Sequence, residues 1–201
     1  MIAIIDYGVG NLSSLTHSLR KVGAECVVTA NTDEIRSADK LILPGVGAFG
    51  DAAEKLKESG LDKIIKEECA RGKSLLGICL GMQLLFDKSY EYGEHDGLGL
   101  IRGEVVPLRY YVHDLKIPHM GWNSLNFVDN NPIFSNLRGE TYVYFVHSYF
   151  AKGCEGLSAT ANYGVEVTAA VRKGNVYGVQ FHPEKSGKDG LEMLRAFSEL
   201  N

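Results

Sequence analysis

The sequence predicts an α/β fold: a single domain whose central sheet is mostly parallel, flanked by helices, with antiparallel strands added in its second half. Two observations support this fold class. In the first half, short apolar runs alternate with stretches of helical periodicity, which is typical of parallel βαβ units with helices on both faces. In the second half, strand-like runs follow one another through turns rich in Gly and Asn, which favours antiparallel pairing.

The elements of the first half follow from apolar runs and capping residues. Ile2–Ile5 is a buried strand, and Asn11 is placed to cap a helix that ends near Gly23. Further strands are predicted over 26–28, 40–43 and 74–79, and further helices over 49–59, 61–71 and 81–86.

The second half reads as a series of strands closed by one helix. The strands are predicted over 98–108, 119–127, 141–151, 157–162, 167–172 and 176–181, with a hairpin turn at 172–175. The helix over 190–200 carries its apolar residues on one side. There is no linker, repeat or low-complexity segment, so we expect one domain over 1–201.

Composition excludes several classes of protein. The chain has 201 residues, 45% of them hydrophobic, which is long enough to bury a core. With 21 Lys+Arg against 25 Asp+Glu, the charge of −4 argues against nucleic acid as a partner, because phosphate binding needs a basic face. No apolar run approaches the roughly 18–20 residues of a membrane span, so we expect no membrane association.

The N-terminus and the cysteines favour a cytoplasmic location. The opening apolar run stops at Asp6 and lacks a basic segment, so it does not have the pattern of a signal peptide. The four cysteines are scattered without a CxxC pair, which suits a reducing compartment better than a disulfide framework. They are Cys26, Cys69, Cys79 and Cys154.

The sharpest local motif surrounds Cys79. The run Gly77-Ile78-Cys79-Leu80-Gly81 follows an apolar strand and precedes a helix, which is the nucleophile-elbow pattern with Cys in place of Ser. Glycines flank the nucleophile because neighbouring side chains would collide at so sharp a turn. The Leu80 amide would then face a developing oxyanion. The alternative is a buried structural cysteine, a common fate of a free Cys.

A general base for this nucleophile is expected elsewhere in the chain. His182-Pro183-Glu184 follows a predicted strand, and the proline stiffens the turn so that the carboxylate can reach the imidazole. The alternative is a surface histidine beside a solvated glutamate. A metal site is disfavoured, because no third ligand lies at a useful spacing. We predict neither a metal nor a cofactor.

Longer motifs identify a family resemblance over essentially the whole chain. GICLGMQLLF (77–86) and GVQFHPEKS (178–186) resemble the class I, triad-type glutamine amidotransferases. More narrowly, the chain resembles the glutaminase subunits of imidazole glycerol phosphate synthase, in the segments IDYGVGNLSS (5–14), LPGVGAFG (43–50), PHMGWN (118–123) and FVHSYF (145–150).

The resemblance implies a flavodoxin-like fold and a specific reaction. It makes Cys79 the nucleophile, His182 the general base and acid, and Glu184 the orienting carboxylate. Glutamine would be hydrolysed to glutamate and ammonia through a γ-glutamyl thioester. The ammonia would pass to a (βα)8 cyclase subunit in a heterodimer, which makes imidazole glycerol phosphate and AICAR in histidine biosynthesis.

The resemblance also implies an oxyanion hole and a glutamine pocket. Val46 and Gly47 would provide a second backbone donor opposite Leu80, and glycines on both sides of Val46 would let that peptide reorient. A competing reading of 45–50 as a dinucleotide-binding G-x-G-x-x-G fails, because no strand ending in an acid follows about 20 residues later. The implied substrate-binding residues are Gly45, Gln83, His147, Ser148 and Tyr149.

The segment 118–123 is the candidate partner interface. It holds the only Trp of the chain beside a Met, a Pro and a Gly, residues that are either core or interface in character. Ammonia released into water would be protonated and diluted, which favours the interface. The resemblance implies that the following residues contact the cyclase: Pro118, His119, Met120, Gly121, Trp122 and Asn123, with Lys185 nearby.

Two other functions stay open at this point. The chain could be another triad-type α/β enzyme, such as a cysteine peptidase or a different amidotransferase subunit. It could also be a regulatory domain that only keeps the fold, although the presence of Cys79, His182 and Glu184 together argues against this.

Overall fold

A computed structural model describes residues 1–200, and its first half alternates strands and helices as predicted. The strands are β1 (Ile2–Ile5), β2 (Cys26–Thr29), β3 (Lys40–Leu43) and β4 (Ser74–Ile78). The helices are α1 (Leu12–Lys21), α2 (Thr32–Ser37), α3 (Phe49–Glu58), α4 (Leu61–Ala70) and α5 (Leu80–Gln83). Asn11 caps α1, accepting the amide of Ser14.

The second half consists of short strands and one closing helix. The strands are β5 (Lys88–Ser89), β6 (His95–Asp96), β7 (Glu104–Pro107), β8 (His119–Ser124), β9 (Asn126–Phe127), β10 (Tyr142–His147), β11 (Tyr149–Lys152), β12 (Leu157–Asn162), β13 (Glu166–Lys173) and β14 (Val176–Val179). The helix α6 spans Gly187–Ser198.

The central sheet confirms the predicted fold class. Its eight strands lie in the order β2-β1-β3-β4-β14-β13-β12-β9. The first five strands in this order pair in parallel, and the last three extend the sheet antiparallel. A four-stranded sheet, β11-β7-β5-β6, and a two-stranded sheet, β10-β8, account for the other strands.

Burial follows from this topology. The parallel strands are covered on both faces, so successive residues of β1 belong to opposite halves of the core: Ile2 and Ile4 to one, Ala3 and Ile5 to the other. The carboxyl ends of β1, β3, β4 and β14 meet at one edge of the sheet, where ligands bind in open α/β folds.

Two predicted elements are shorter than the sequence indicated, for one shared reason. The helix predicted over 81–86 is the single turn α5, and the strand predicted over 98–108 is reduced to β7. Amides of residues 98–101 donate to the carbonyls of Leu84, Leu85 and Phe86. These contacts cap the short helix and keep 98–101 out of a sheet.

Four further differences are two broken strands, one helix that was not predicted and one helix boundary. The strand predicted over 141–151 is broken at Ser148 into β10 and β11, which belong to different sheets. The strand predicted over 119–127 is interrupted at Leu125. Helix α2 was not predicted, although Asn31 caps it by accepting two amides, and the closing helix begins at Gly187 rather than 190.

We predict that Gly81→Ala destabilises the fold far more than Gly23→Ala. A Cβ at Gly81 would collide with the Leu43 carbonyl oxygen, which is backbone and cannot move aside, so we expect a loss of about 3 kcal/mol. Gly23 has a positive φ but faces open space, so its replacement should cost about 1 kcal/mol. Denaturant unfolding of both variants measures the difference, and equal losses would contradict the packing described.

Candidate active site

Cys79 lies on a strained turn between β4 and α5. Its φ of 55° and ψ of −111° are unusual for a residue with a side chain. The turn is so tight that a Cβ at Gly77 would lie only 2.7 Å from the Gly81 carbonyl oxygen. The Cys79 amide donates to the Val179 carbonyl, which ties the turn to the end of β14.

His182 and Glu184 form a buried pair beside this turn. The His182 Nδ1 and Glu184 Oε1 atoms are 2.8 Å apart, and both side chains are 4% exposed. A carboxylate only accepts, so Nδ1 carries the proton and Nε2 is left for the thiol. Pro183 begins a short 3₁₀ turn that brings the carboxylate back to the ring.

The electrostatics of His182 reflect both neighbours. Burial of the ring lowers its pKa, but the Cys79 thiol and the Glu184 carboxylate both raise it, to about 10 in net effect. The Nε2 atom is buried without a well-aligned hydrogen-bond partner among residues 1–200, yet the sulfur is close enough to act on the ring.

The thiol opens onto a cavity of about 310 Å³ that gathers most of the predicted site residues. The cavity is lined by Val46, Gly47, Cys79, Leu80, Gln83, Glu91, Pro118, Val146, His147, Ser148, Tyr149 and His182. Of the residues predicted to be catalytic or to form the oxyanion hole, only Glu184 is missing from this wall, because it lies behind His182.

Gly45 is the one predicted substrate-binding residue that does not line the cavity. A Cβ there would approach the Tyr7 hydroxyl oxygen to 2.7 Å and the Leu80 Cβ to 2.9 Å, so Gly45 packs beneath the site. Gly47 lines the cavity with a φ of 95°, which glycine adopts without strain. The Leu80 amide belongs to the first turn of α5, where no helical carbonyl can accept it.

Tyr7 fixes the segment that leads into Val46 and Gly47. Its hydroxyl donates to the Pro44 carbonyl at 2.7 Å, and the ring is buried. Burial, with the negative charge of Cys79 as a smaller cause, raises the pKa of this phenol, so it remains a donor. Tyr7 was not singled out in the sequence analysis, although it lies within the 5–14 motif.

Two amide side chains connect the cavity wall to the nucleophile. The Gln83 Nε2 atom donates to the Tyr149 carbonyl and to the Gln180 Oε1 atom, each at 3.0 Å. The Gln180 Nε2 atom in turn faces the Cys79 sulfur at 3.8 Å. Gln180 was overlooked in the sequence, although it lies in the 178–186 motif two residues before His182.

Glu91 is a second residue that the sequence analysis missed. It lines the cavity, and its Oε2 atom accepts the Phe49 amide at 2.7 Å, which leaves its other oxygen free. Burial raises the pKa of this carboxyl, with the Phe49 amide opposing the shift. No local motif surrounds Glu91, and only the fold brings it near Cys79.

The predicted interface segment lies mostly on the surface, with one correction. Met120 and Trp122 are 59% and 58% exposed, and Lys185 lies over the Tyr144 ring, against which Trp122 packs edge-on. Pro118 is exposed and also lines the cavity, whereas Gly121 and Asn123 are partly exposed. His119 is only 3% exposed, because its ring turns inward to contact His147, so its side chain cannot contact a partner.

Residues 1–200 contain neither a membrane-spanning helix nor a cluster of metal-ligating side chains. No helix there is long and apolar enough to cross a bilayer. No group of three or more His, Cys, Asp or Glu residues in that range could hold a metal ion.

Comparisons with known proteins identify the family. The family model of the class-I glutamine amidotransferases matches residues 3–199. The imidazole glycerol phosphate synthase subunit HisH of Oceanobacillus iheyensis is 48% identical over 100% of this chain and 99% of its own length. The subunit of the same name from Bacillus subtilis is 47% identical over 100% of this chain and 96% of its own.

The chain belongs to the class-I glutamine amidotransferases, among the HisH subunits. Solved structures of more distant proteins agree on the fold. A glutamine amidotransferase structure superposes with a TM-score of 0.77 at 19% identity, covering 100% of both chains. The structure of PurLQS from Thermotoga maritima gives 0.77 at 21% identity, covering 98% of this chain and 96% of its own.

We predict that Cys79 is the fast-reacting thiol of this amidotransferase. Burial raises the pKa of the other three cysteines, of Cys69 to about 12, so they are thiols at neutral pH. Iodoacetamide should therefore alkylate Cys79 at least about tenfold faster than the others, and His182→Gln should slow that reaction. Peptide mapping after timed alkylation gives the rates. Equal rates for all four cysteines, or no effect of His182→Gln, would contradict the arrangement.

Proposed function

We propose that this chain hydrolyses the side-chain amide of glutamine at Cys79 and delivers the ammonia to a (βα)8 cyclase subunit. The pair would make imidazole glycerol phosphate and AICAR in histidine biosynthesis, in the cytoplasm. The buried His182–Glu184 pair beside a strained Cys79 carries the proposal. The near 50% identity to HisH subunits over the full chain supports the choice of pathway.

The geometry supports a two-step mechanism. The Cys79 sulfur attacks the amide carbon, and the oxyanion that forms is stabilised by the Leu80 amide and by the backbone of Val46 and Gly47. His182 gives its Nε2 proton to the leaving nitrogen, which departs as ammonia and leaves a γ-glutamyl thioester. His182 then takes a proton from water, which attacks the thioester and releases glutamate and the thiol.

The cavity wall supplies groups for the two ends of the amino acid. Glu91 presents a partly desolvated carboxylate, which suits the α-ammonium group because opposite charges attract more strongly away from water. Gln83 has committed its amide nitrogen to protein acceptors, so its oxygen remains available as an acceptor. The backbone of Ser148 and Tyr149 lines the same wall and would hold the α-carboxylate.

We predict that Cys79→Ala abolishes glutamine hydrolysis while sparing ammonia-dependent synthesis. No other group in the cavity can form the thioester, and loss of such a nucleophile costs on the order of 10⁶ in turnover. Glutamate release and product formation are measured on the complex with the cyclase, with glutamine or with an ammonium salt.

Cys26→Ala is the matched control, because Cys26 lies on β2 away from the cavity. It should leave both reactions unchanged. Glutamate release by Cys79→Ala above about a hundredth of the wild-type rate would exclude Cys79 as the nucleophile. It would leave another hydrolase mechanism or a regulatory role open.

The partner surface is supported by exposure and by its connection to the cavity. Met120 and Trp122 present large apolar side chains to solvent on β8, which is unusual unless another protein covers them. Pro118, at the start of the same segment, lines the cavity. A cyclase docked over Trp122 would therefore cover the opening through which ammonia leaves.

We predict that Trp122→Ala weakens cyclase binding by about 2 kcal/mol, because truncating a central aromatic residue typically has that effect. Val128→Ala, which removes an exposed apolar side chain elsewhere, is the control and should bind normally. Titration calorimetry of both variants measures the affinities, and circular dichroism checks the fold. Unchanged affinity of a folded Trp122→Ala variant would contradict the proposed docking face.

A further inference from the structure

Two buried histidines outside the proposed triad contact each other directly. His119 on β8 and His147 at the end of β10 are partners in the antiparallel register. The His119 Nδ1 and His147 Nε2 atoms are 2.9 Å apart, and the side chains are almost fully buried. Which ring donates the proton depends on what the two outer nitrogens bind.

The surface end of this contact fixes the direction of donation. The Asn123 amide oxygen accepts the Ser124 amide at 2.9 Å, and its nitrogen donates to the Asn162 carbonyl at 2.8 Å. If the Asn123 amide were reversed, its nitrogen would face the Ser124 N–H and its oxygen would face the Asn162 carbonyl, so neither hydrogen bond could form. The orientation of the amide is therefore determined. The same nitrogen donates to His119 Nε2 at 3.2 Å, which places the His119 proton on Nδ1.

The cavity end gives the same direction independently. His147 Nδ1 is 2.9 Å from the Tyr149 carbonyl oxygen, which can only accept. The proton of His147 is therefore on Nδ1, and its Nε2 accepts from His119. Burial lowers the pKa of His119 to about 4 and that of His147 to about 3, so both rings are neutral at neutral pH. Neutral rings are what this pattern of hydrogen bonds requires, because each ring must donate at one nitrogen and accept at the other.

Neighbouring rings hold His119 in this orientation. It is stacked between Phe145, with ring centroids 4.6 Å apart, and Tyr163, at 4.0 Å. Both stacked pairs are within about 22° of parallel. The His119 ring therefore cannot turn to another partner without breaking both stacks.

This series of hydrogen bonds ends at a break between two strands that line the cavity. The backbone changes sheets at Ser148, between β10 and β11, and the His147 ring bridges that break by donating to Tyr149. The same Tyr149 carbonyl also accepts a hydrogen bond from the Gln83 side-chain amide. The position of this carbonyl thus bears on the wall that would hold glutamine.

We propose that His119 is a positioning residue: through the one-directional chain Asn123→His119→His147→Tyr149 carbonyl, it fixes the Ser148–Tyr149 wall of the glutamine cavity. This proposal rests on the proposed function. Its surface end is the neighbour of Trp122, so the proposed docking face and the glutamine wall share one hydrogen-bond chain.

The kinetic test compares two replacements of His119 in the complex with the cyclase. His119→Phe keeps the aromatic stack and removes both hydrogen bonds, leaving His147 Nε2 buried without a donor. It should raise KM for glutamine about tenfold with a much smaller change in kcat. His119→Asn retains an N–H near the Nδ1 position and should recover part of the loss. An unchanged KM in His119→Phe, or equal losses in both variants, would overturn the proposal.

A spectroscopic test does not depend on activity or on a variant that folds. In ¹⁵N-labelled wild-type protein at neutral pH, the rings of His119 and His147 should each be protonated at Nδ1 alone. The exposed His17 and His113 serve as reference signals. Protonation of either buried ring at Nε2 would overturn the hydrogen-bond chain. If both rings are protonated at Nδ1 but the protein has no glutaminase activity, the hydrogen-bond chain stands and the proposed function is wrong.

Discussion

The strained turn at Cys79 is the constraint on which the rest of the site depends. A positive φ at a residue with a side chain costs on the order of 1–3 kcal/mol, and it persists only where packing enforces it. Here Gly77 and Gly81 allow the turn to press against the backbone of β3 and α5. The Cys79 amide is bonded to Val179, so the position of the thiol is set by the same strand that leads to Gln180 and His182.

The two halves of the fold supply different parts of the proposed site. The parallel strands bring Cys79, His182 and the Pro44–Gly47 segment, which Tyr7 holds, to one edge of the sheet, where the proposed bond-making and bond-breaking take place. The antiparallel strands supply the opposite wall, with Ser148 and Tyr149, and the outer face with Trp122. The proposed glutamine wall and the proposed partner surface therefore adjoin at the strands β8 and β10, where the buried histidines lie.

Local patterns in the sequence predicted the fold class, which the structure confirms, and singled out Cys79, His182 and Glu184, which the structure brings together. Each of these patterns involves contacts within a few residues: a glycine-flanked turn, a capping Asn and a His-Pro-Glu run. Such local contacts can be predicted from the sequence alone. Long-range contacts could not be read in this way. Glu91 reaches the site through the Phe49 amide, 42 residues away in sequence, and Gln180 faces a sulfur 101 residues away. The inward turn of His119 likewise depends on the rings of Phe145 and Tyr163, which are distant in sequence.

Labelling by a chloroketone analogue of glutamine tests most directly whether Cys79 is the nucleophile of a glutamine site, because such an analogue alkylates a thiol only after binding as the substrate does. We expect one label per chain, located at Cys79 by peptide mapping, with loss of glutaminase activity in proportion and protection by glutamine. Inactivation with the label at another residue, or labelling of Cys79 that glutamine does not slow, would contradict it.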